Sequence, residues 1–460
     1  MQLETLRALT AFSENVAIIY FLMINTFYLG LLVAAARSLL LEKLKSKFEL
    51  QREMNDSSIA PKVSVIATAF NEEAGVVDSV NTILALSYPN LEVVVVNDGS
   101  TDRTLDSLIN AFDLESIPVE HRDSIEHCEI RSMFGSAIFP NLIVIDKQNG
   151  RKADALNAGL DVSSGSLVCA IDADTLVERD ALQKLVQPFV ASDQVVAAGG
   201  TLRVLNGTTA KHGQIIERRV PNNFFIGFQL LEYLRAFLIG RLGWNSFGGN
   251  IVISGAFGVF RRDAVIAIGG YKVSTVGEDV DLIVRLRRNS YHNDGPGKVV
   301  FIPNPVAWTE VPETESALRS QRERWHRGLA EVLASNPTVT FNPRYRGMGL
   351  VSFPYFLFVE LLSPVFELIG LIAAIVGGML GILDTDLVIA FVLATYVYSA
   401  VLTVSAILLE ELTYSSWKNP SDVLKMLALS FLEPLGYRQL SIYWRLLGIY
   451  RFLRREHSWQ

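Results

Sequence analysis

Cysteine is almost missing from this chain: among 460 residues there are two, Cys128 and Cys169. Neither a disulfide framework nor a cysteine-ligated zinc site can be assembled from two. Cys169 lies in an apolar run, where a small buried thiol is ordinary, so the main soluble part is expected to face a reducing cytosol. An excess of basic charge is missing too. With 41 Lys and Arg against 48 Asp and Glu the formal net charge is -7, which excludes a general nucleic-acid binder, since those neutralise phosphates with clustered cations. No G-x-x-x-x-G-K-[ST] stretch occurs, which excludes a P-loop. Charged residues are scarce at 19% beside 50% hydrophobic residues. That balance implies a mixed soluble and membrane architecture.

The apolar residues are concentrated in long runs. Val16 to Leu40 suits a membrane-spanning helix of about 20 residues, and no small-residue cleavage site follows it, so it reads as an anchor. Arg37 near its end and Lys43, Lys45, Lys47 and Arg52 beyond it place this side in the cytoplasm and the N-terminus outside. After Arg346, Leu350 to Leu383 and Leu387 to Leu409 are separated by the short acidic connection Asp384 to Asp386. The first run is longer than one span, and Glu360, Pro364 and Glu367 suggest that it opens as an interfacial helix before crossing. The second reads as a clean span. Leu424 to Leu435 is short and soon followed by Arg438, which leaves open whether it crosses. Arg438, Arg445, Arg451, Arg454 and Arg455 favour a cytoplasmic tail. The expected organisation is an anchor and basic segment at 1–60, a cytosolic domain at 61–346, and interfacial and transmembrane helices with a basic tail at 347–460, a multi-pass protein of the plasma membrane.

From Pro61 the stretches VSVIATAFNEE, LEVVVVNDGSTD, LIVIDKQNGRKADALNAGL and LVCAIDADT follow one another between helix-like segments. Short β-branched runs alternating with helices predict an α/β fold with a mostly parallel sheet buried on both faces. Asp113 to Pro140 is polar and without clear period, so it is expected to be a loop-like excursion. Phe224 to Trp244 is expected to be helical, its apolar residues serving core or membrane-surface packing.

In open α/β sheets ligands bind at the carboxyl ends of the strands. Asp172 and Asp174 end the fourth run and suggest a metal there, although Asp also suits a turn. At the same edge fall Thr68, Phe70, Asn71 and Glu72, an aromatic face and polar groups able to receive a base, and Asn97, Asp98, Gly99 and Ser100. Lys152 and Asp154 precede a helix nearby, and a cation beside a fixed metal suits a nucleoside diphosphate. VGEDVD supplies Glu278, Asp279 and Asp281 at a helix start, with Asp279 a candidate base or simply a helix-terminal acid. In QRERW, Gln321, Arg324 and Trp325 share one helix face, which suits a phosphate and a sugar ring or, equally, an interfacial helix.

Taken together, these motifs resemble the membrane-embedded family 2 glycosyltransferases, the group that includes cellulose, chitin, hyaluronan and poly-N-acetylglucosamine synthases. The resemblance runs from about Val63 to Gly328, and QRERW matches the family's Q-x-x-R-W. It implies a GT-A-type nucleotide-diphospho-sugar transferase domain flanked by transmembrane helices. Asp98 would then bind the nucleotide, with Thr68, Phe70, Glu72 and Lys152 near the donor. Asp172 and Asp174 would form the D-x-D site for Mg2+ or Mn2+ on a UDP-sugar. Asp279 would be the catalytic base, while Gln321, Arg324 and Trp325 would border the donor diphosphate and the acceptor. Gly277 stands where cellulose-type enzymes carry Thr, which leaves the sugar open. No cyclic-dinucleotide-binding domain is recognised, so that regulation is not expected. The implied activity is inverting extension of a β-linked polysaccharide at the bilayer, with export. Transfer of one sugar to a membrane lipid is the alternative, and a catalytically silent UDP-sugar-binding scaffold the rival from another class. With three or four near-spanning segments a single chain is thin for a pore. A homo-oligomer or export partner is expected to complete it.

Overall fold

Val, Ile and Ala crowd four of the runs noted above, and each forms a strand buried along nearly its whole length. The computed structural model describes residues 2–44, 60–172, 175–211, 214–381, 385–414 and 417–455. Asp174, Lys45, Lys47, Arg52 and Asp384 lie outside these residues. The chain divides into two units, one comprising Glu42–Glu217 and Gly248–Glu310, the other Met1–Leu41, Arg218–Phe247 and Val311–Gln460.

The first unit holds the strands. In chain order they are β1 (Val63–Ala69), β2 (Leu91–Asn97), β3 (Leu114–Ile117), β4 (Ile130–Ser136), β5 (Leu142–Lys147), β6 (Leu167–Asp172), β7 (Leu176–Val177), β8 (Val195–Val204), β9 (Thr208–Lys211), β10 (Gln214–Arg218), β11 (Phe257–Arg261) and β12 (Lys298–Thr309). Ten of them form one sheet in the order β3-β4-β5-β2-β1-β6-β11-β8-β12-β7, and β9 pairs with β10 alone. The centre is parallel: β1 pairs with β2 and β6, and β2 with β5. β8 and β12 are parallel to each other, whereas β11 runs antiparallel to both β6 and β8. Most strands therefore share one direction, as the alternation of strand and helix predicts.

Parallel neighbours need helical crossovers, and the helices Val76–Leu84, Thr104–Phe112 and Arg151–Val162 supply them. Ile66, Val94, Val96, Leu156 and Leu160 meet in the buried core between sheet and helix. The register sets Ala69 opposite Asn97 and Thr68 opposite Asp172, so the carboxyl ends of β1, β2 and β6 form one rim. Asp113 to Pro140 is more ordered than its polarity predicts. It contributes β3 and β4, with β4 pairing antiparallel to β5 at the sheet margin, around a loop at 118–129. β4, the second strand from this edge, has one partly wetted face, so it mixes buried Ile130 and Met133 with exposed Arg131 and carries no continuous apolar run.

The second unit is helical. Among the described residues, two of its helical segments, Thr10–Leu41 and Val388–Tyr414, are long and apolar enough to cross a membrane. Met348–Leu361 and Ser363–Met379 meet that test only as a pair, bent by 41° at the break between them. Pro364 lies in the first turn after the break, where its missing N–H is tolerated while an upstream continuation is not. Phe224 to Trp244 is helical as expected, with a π-helical stretch at Leu234–Arg241.

Candidate active site

Each strand of the parallel centre ends in a turn that presents polar groups on the rim. After β1, Asn71 adopts a left-handed conformation with φ 56°, which Asn tolerates better than most residues. Its side-chain oxygen accepts from Thr101 N at 2.8 Å, and its own N–H donates to Ser100 Oγ at 3.0 Å. Glu72 N–H donates to Thr104 Oγ1 at 2.9 Å. The turns after β1 and β2 are thus stitched together, with Phe70 half exposed beside them at 50%.

Asp98 follows β2 and is 3% exposed. Its Oδ1 accepts from Lys147 Nζ at 2.7 Å and from Gly150 N at 3.0 Å. Lys147 is fully buried at the end of β5 and also meets Asp154 Oδ1 at 2.5 Å. Gly99 has φ +67°, and a Cβ there would stand 2.8 Å from Asn149 N, so only glycine fits this close approach. Asp98 is therefore a fixed acceptor. Lys147 played no part in the sequence reading; its signal was a charge closing the apolar run LIVIDK.

At the end of β6 the carboxylate of Asp172 pairs with Lys152, the second residue of the Arg151–Val162 helix. Lys152 Nζ also lies 3.9 Å from Glu278 Oε1 and donates to Gly255 O at 3.4 Å. Burial works against the charge on Lys152, but Asp172 and Glu278 together raise its pKa above the ordinary lysine value. Asp279 Oδ2 accepts from Gly255 N at 3.2 Å, and Oδ1 accepts from Val280 N at 2.8 Å. Glu278 and Asp279 open the Glu278–Asn293 helix, whose N-terminal dipole favours acids. Burial first, then the neighbouring Asp279, pushes the Glu278 carboxyl up to about 7. Asp281 faces elsewhere: it is buried and bonded to Arg285 at 2.6 Å, a packing role.

The structure thus links Asp172 to Lys152, and Lys152 and Asp279 to Gly255. Gly255 and Glu278 were not assigned from sequence. Gly255 contributes backbone alone, which no side-chain pattern reveals. The rim carboxylate of Asp172, partly exposed at 30%, is the hard oxygen donor that Mg2+ or Mn2+ takes.

Residues 61–328 match the model of the glycosyltransferase-like family 2. The chain belongs to that family. Its parallel centre and carboxyl-edge acids are the GT-A fold of a family 2 glycosyltransferase, and a mannosyltransferase from Pyrobaculum calidifontis, solved with GDP-Man and Mn2+, shares the fold. That likeness has a TM-score of 0.52 at 15% identity and covers 99% of both chains. Among curated proteins, poly-β-1,6-N-acetyl-D-glucosamine synthase from Staphylococcus aureus is 28% identical over 59% of this chain and 55% of that protein. The probable glycosyltransferase YdaM from Bacillus subtilis is 30% identical over 59% of this chain and 56% of its own length. The matches therefore span about half the length of these relatives.

Gln321, Arg324 and Trp325 belong to the other unit, on the helix Glu315–Ser335. Arg324 and Trp325 are exposed, Trp325 at 45%. The guanidinium of Arg322 lies 4.7 Å from the Trp325 ring centroid and pairs with Glu232, so the indole is braced from within its own unit. The buried amide oxygen of Gln321 has no hydrogen-bond partner among the described residues.

Proposed function

We propose that this family 2 glycosyltransferase transfers a sugar from a UDP-sugar, with inversion, to the growing end of a β-linked polysaccharide at the membrane. The observation that carries the reading is a chain of contacts on one rim, in which Asp172 pairs with Lys152 while Lys152 and Asp279 both bond to Gly255. An acid for the donor side, a cation for the diphosphate and a second acid held by a backbone N–H then occupy one rim.

Asp279 takes the proton of the acceptor hydroxyl as that oxygen attacks the anomeric carbon from the face opposite UDP. The Gly255 N–H fixes the carboxylate in place, and a positioned base of this kind contributes about 10²- to 10⁴-fold. Asp98, held by Lys147 and Gly150, is the fixed acceptor for the uracil or ribose, and Phe70 offers the half-exposed ring beside Thr68 and Glu72. Lys152 balances the diphosphate. Asp172, with Asp174, would hold Mg2+ or Mn2+. The bound ion supplies stabilisation of the charge that grows on the leaving diphosphate.

The similarity to poly-β-1,6-N-acetyl-D-glucosamine synthase makes UDP-N-acetylglucosamine the first donor to test. Release of nucleoside diphosphate is measured from UDP- and GDP-sugars with and without Mn2+, followed by sizing of the product. Metal-dependent UDP release with long polymer is the expected result. A short glycolipid replaces polymer synthesis with single transfer, and no release from any donor overturns the enzymatic reading. Purified Asp279→Asn is expected to keep donor binding while turnover falls about 10²- to 10⁴-fold. Near wild-type turnover would sink the base assignment. Among the described residues, two apolar helices of spanning length and one bent pair support a multi-pass membrane protein, and the Lys and Arg residues flanking the apolar runs support a cytoplasmic catalytic unit.

A further inference from the structure

The loop at 118–129 between β3 and β4 carries two histidines that face one buried carboxylate. Asp161, near the end of the Arg151–Val162 helix, has a fully buried side chain. Its Oδ2 accepts the N–H groups of Arg122 at 3.0 Å and Asp123 at 2.9 Å, and its Oδ1 accepts that of Ser124 at 2.7 Å. Burial opposes ionisation, but these backbone donors prevail and hold the carboxyl below its ordinary pKa. His121 Nδ1 lies 3.5 Å and His127 Nε2 3.7 Å from the same Oδ2. All three ligand atoms lie within 4.8 Å of one another.

The orientation of His127 is informative. Its Nδ1 stands 2.8 Å from the Cys128 carbonyl oxygen. A carbonyl can only accept, so Nδ1 carries a proton, and Nε2 is the ring nitrogen turned toward the carboxylate. At 3.7 Å this is no hydrogen bond, and the gap between the two potential ligand atoms has room for a cation. Metal-ligating imidazoles are characteristically fixed by such an N–H to a carbonyl on the far side of the ring. Metal–ligand bonds of about 2.0–2.2 Å in a tetrahedral zinc site put neighbouring donors roughly 3.3 Å apart, close to the spacings here. The His121 ring is 32% exposed while that of His127 is 8% exposed, which supplies an entry path and an open side for water or Asp123. Asp123 Oδ1 already lies 2.9 Å from His121 Nδ1.

The geometry points to a structural site for a divalent transition metal, zinc in first place, formed by His121, His127 and Asp161. Two imidazoles select zinc over magnesium or manganese. None of the three is among the donor-edge residues. The site clamps the loop to the Arg151–Val162 helix at one end. At the other end Cys128 N donates to the two oxygens of Asp154 at 3.2 and 3.0 Å, and Asp154 leads through Lys147 to Asp98. Metal bound here orders the loop whose contact with Asp154 supports the nucleotide edge.

The test uses the full chain in detergent, stripped by chelator, with Asp172→Asn as background so that the donor-edge acids contribute little. Co2+ is titrated, followed by Zn2+. The expected result is one equivalent of cobalt with the visible absorption of a tetrahedral ion, displaced by equimolar zinc, and a zinc-dependent rise in unfolding temperature. His121→Gln, whose ring is partly exposed, is expected to weaken zinc binding by at least about tenfold, and His127→Gln with it to abolish the rise. Circular dichroism establishes that the variants are folded. Absence of the cobalt band, or unchanged zinc affinity in folded His121→Gln, overturns the site.

Discussion

Lys147 is a long charged side chain with no exposed surface, held between Asp98 at 2.7 Å and Asp154 at 2.5 Å. Such a triad is tolerated because each charge has a partner, and removing the central one leaves two carboxylates confronting each other out of water. Lys147→Met is therefore expected to cost about 3–5 kcal/mol and to weaken UDP binding, read as a lower thermal midpoint and a higher Kd. An unchanged midpoint would show that the triad is not coupled. Glu278 gives a pH signature instead. Its carboxyl is raised from 4.5 to about 7 by burial and by Asp279, so the folded chain keeps a proton that the unfolded chain releases. The associated stability is complete below about pH 4.5 and is lost as pH rises through about 7. Glu278→Gln is expected to flatten that part of the profile, gaining at most ~2–3 kcal/mol on the wild type by pH 8. Parallel stability profiles for the two proteins between pH 5 and 8 would contradict the assignment.

The helix Arg151–Val162 carries much of the rim, with Lys152 and Asp154 at its start and Asp161 near its end. It sits close to the sheet because Gly159 has no side chain: a Cβ there would meet Ile66 Cγ2 at 2.4 Å and Val96 Cγ2 at 3.2 Å. Gly159→Ala gains about 1 kcal/mol of helix propensity but overpacks this contact by about 1–3 kcal/mol. A lower thermal midpoint and weaker donor binding are expected together, because the helix lifts Lys152 and Asp154 as it shifts. A raised midpoint would show that the seam has slack. The helix and the strands beside it were legible from β-branched runs alternating with helical stretches, and Asp98, Asp172 and Asp279 were legible as acids closing or opening those elements. β3 and β4 were not, because a strand such as IRSMFGS, with one partly wetted face, mixes burial and exposure without an apolar run. Nor was the convergence on Gly255, since its donor is a backbone N–H and its partners come from distant stretches of chain. Lys147 was passed over because charge at a strand end is usually solvated, whereas here burial between two acids gives it a role.

The chain alternates between its two units, leaving and re-entering the helical one at 218–247 and 311–460, so its apolar helices cannot be read as simple appendages of the catalytic domain. Polar groups inside that helical unit meet one another. Arg235 forms a two-pronged contact with Glu433 at 2.5 and 2.6 Å and also donates to Thr403 at 2.7 Å, a residue of the candidate span Val388–Tyr414. Arg438 pairs with Glu367 and donates to Thr395 O at 3.0 Å, joining the same span to the helix Ser363–Met379. Charges within or beside a bilayer persist where they face protein rather than lipid, and a forked arginine–carboxylate contact fixes direction as well as distance. Removing one partner strands the other, while removing both leaves a gap that apolar packing can fill. Arg235→Met is therefore expected to lower the thermal midpoint in detergent by more than Arg235→Met with Glu433→Leu, the single change costing about 3–5 kcal/mol. If the double variant is as unstable as the sum of the two singles, the pair is not coupled, and the alignment of these helices rests on apolar packing alone.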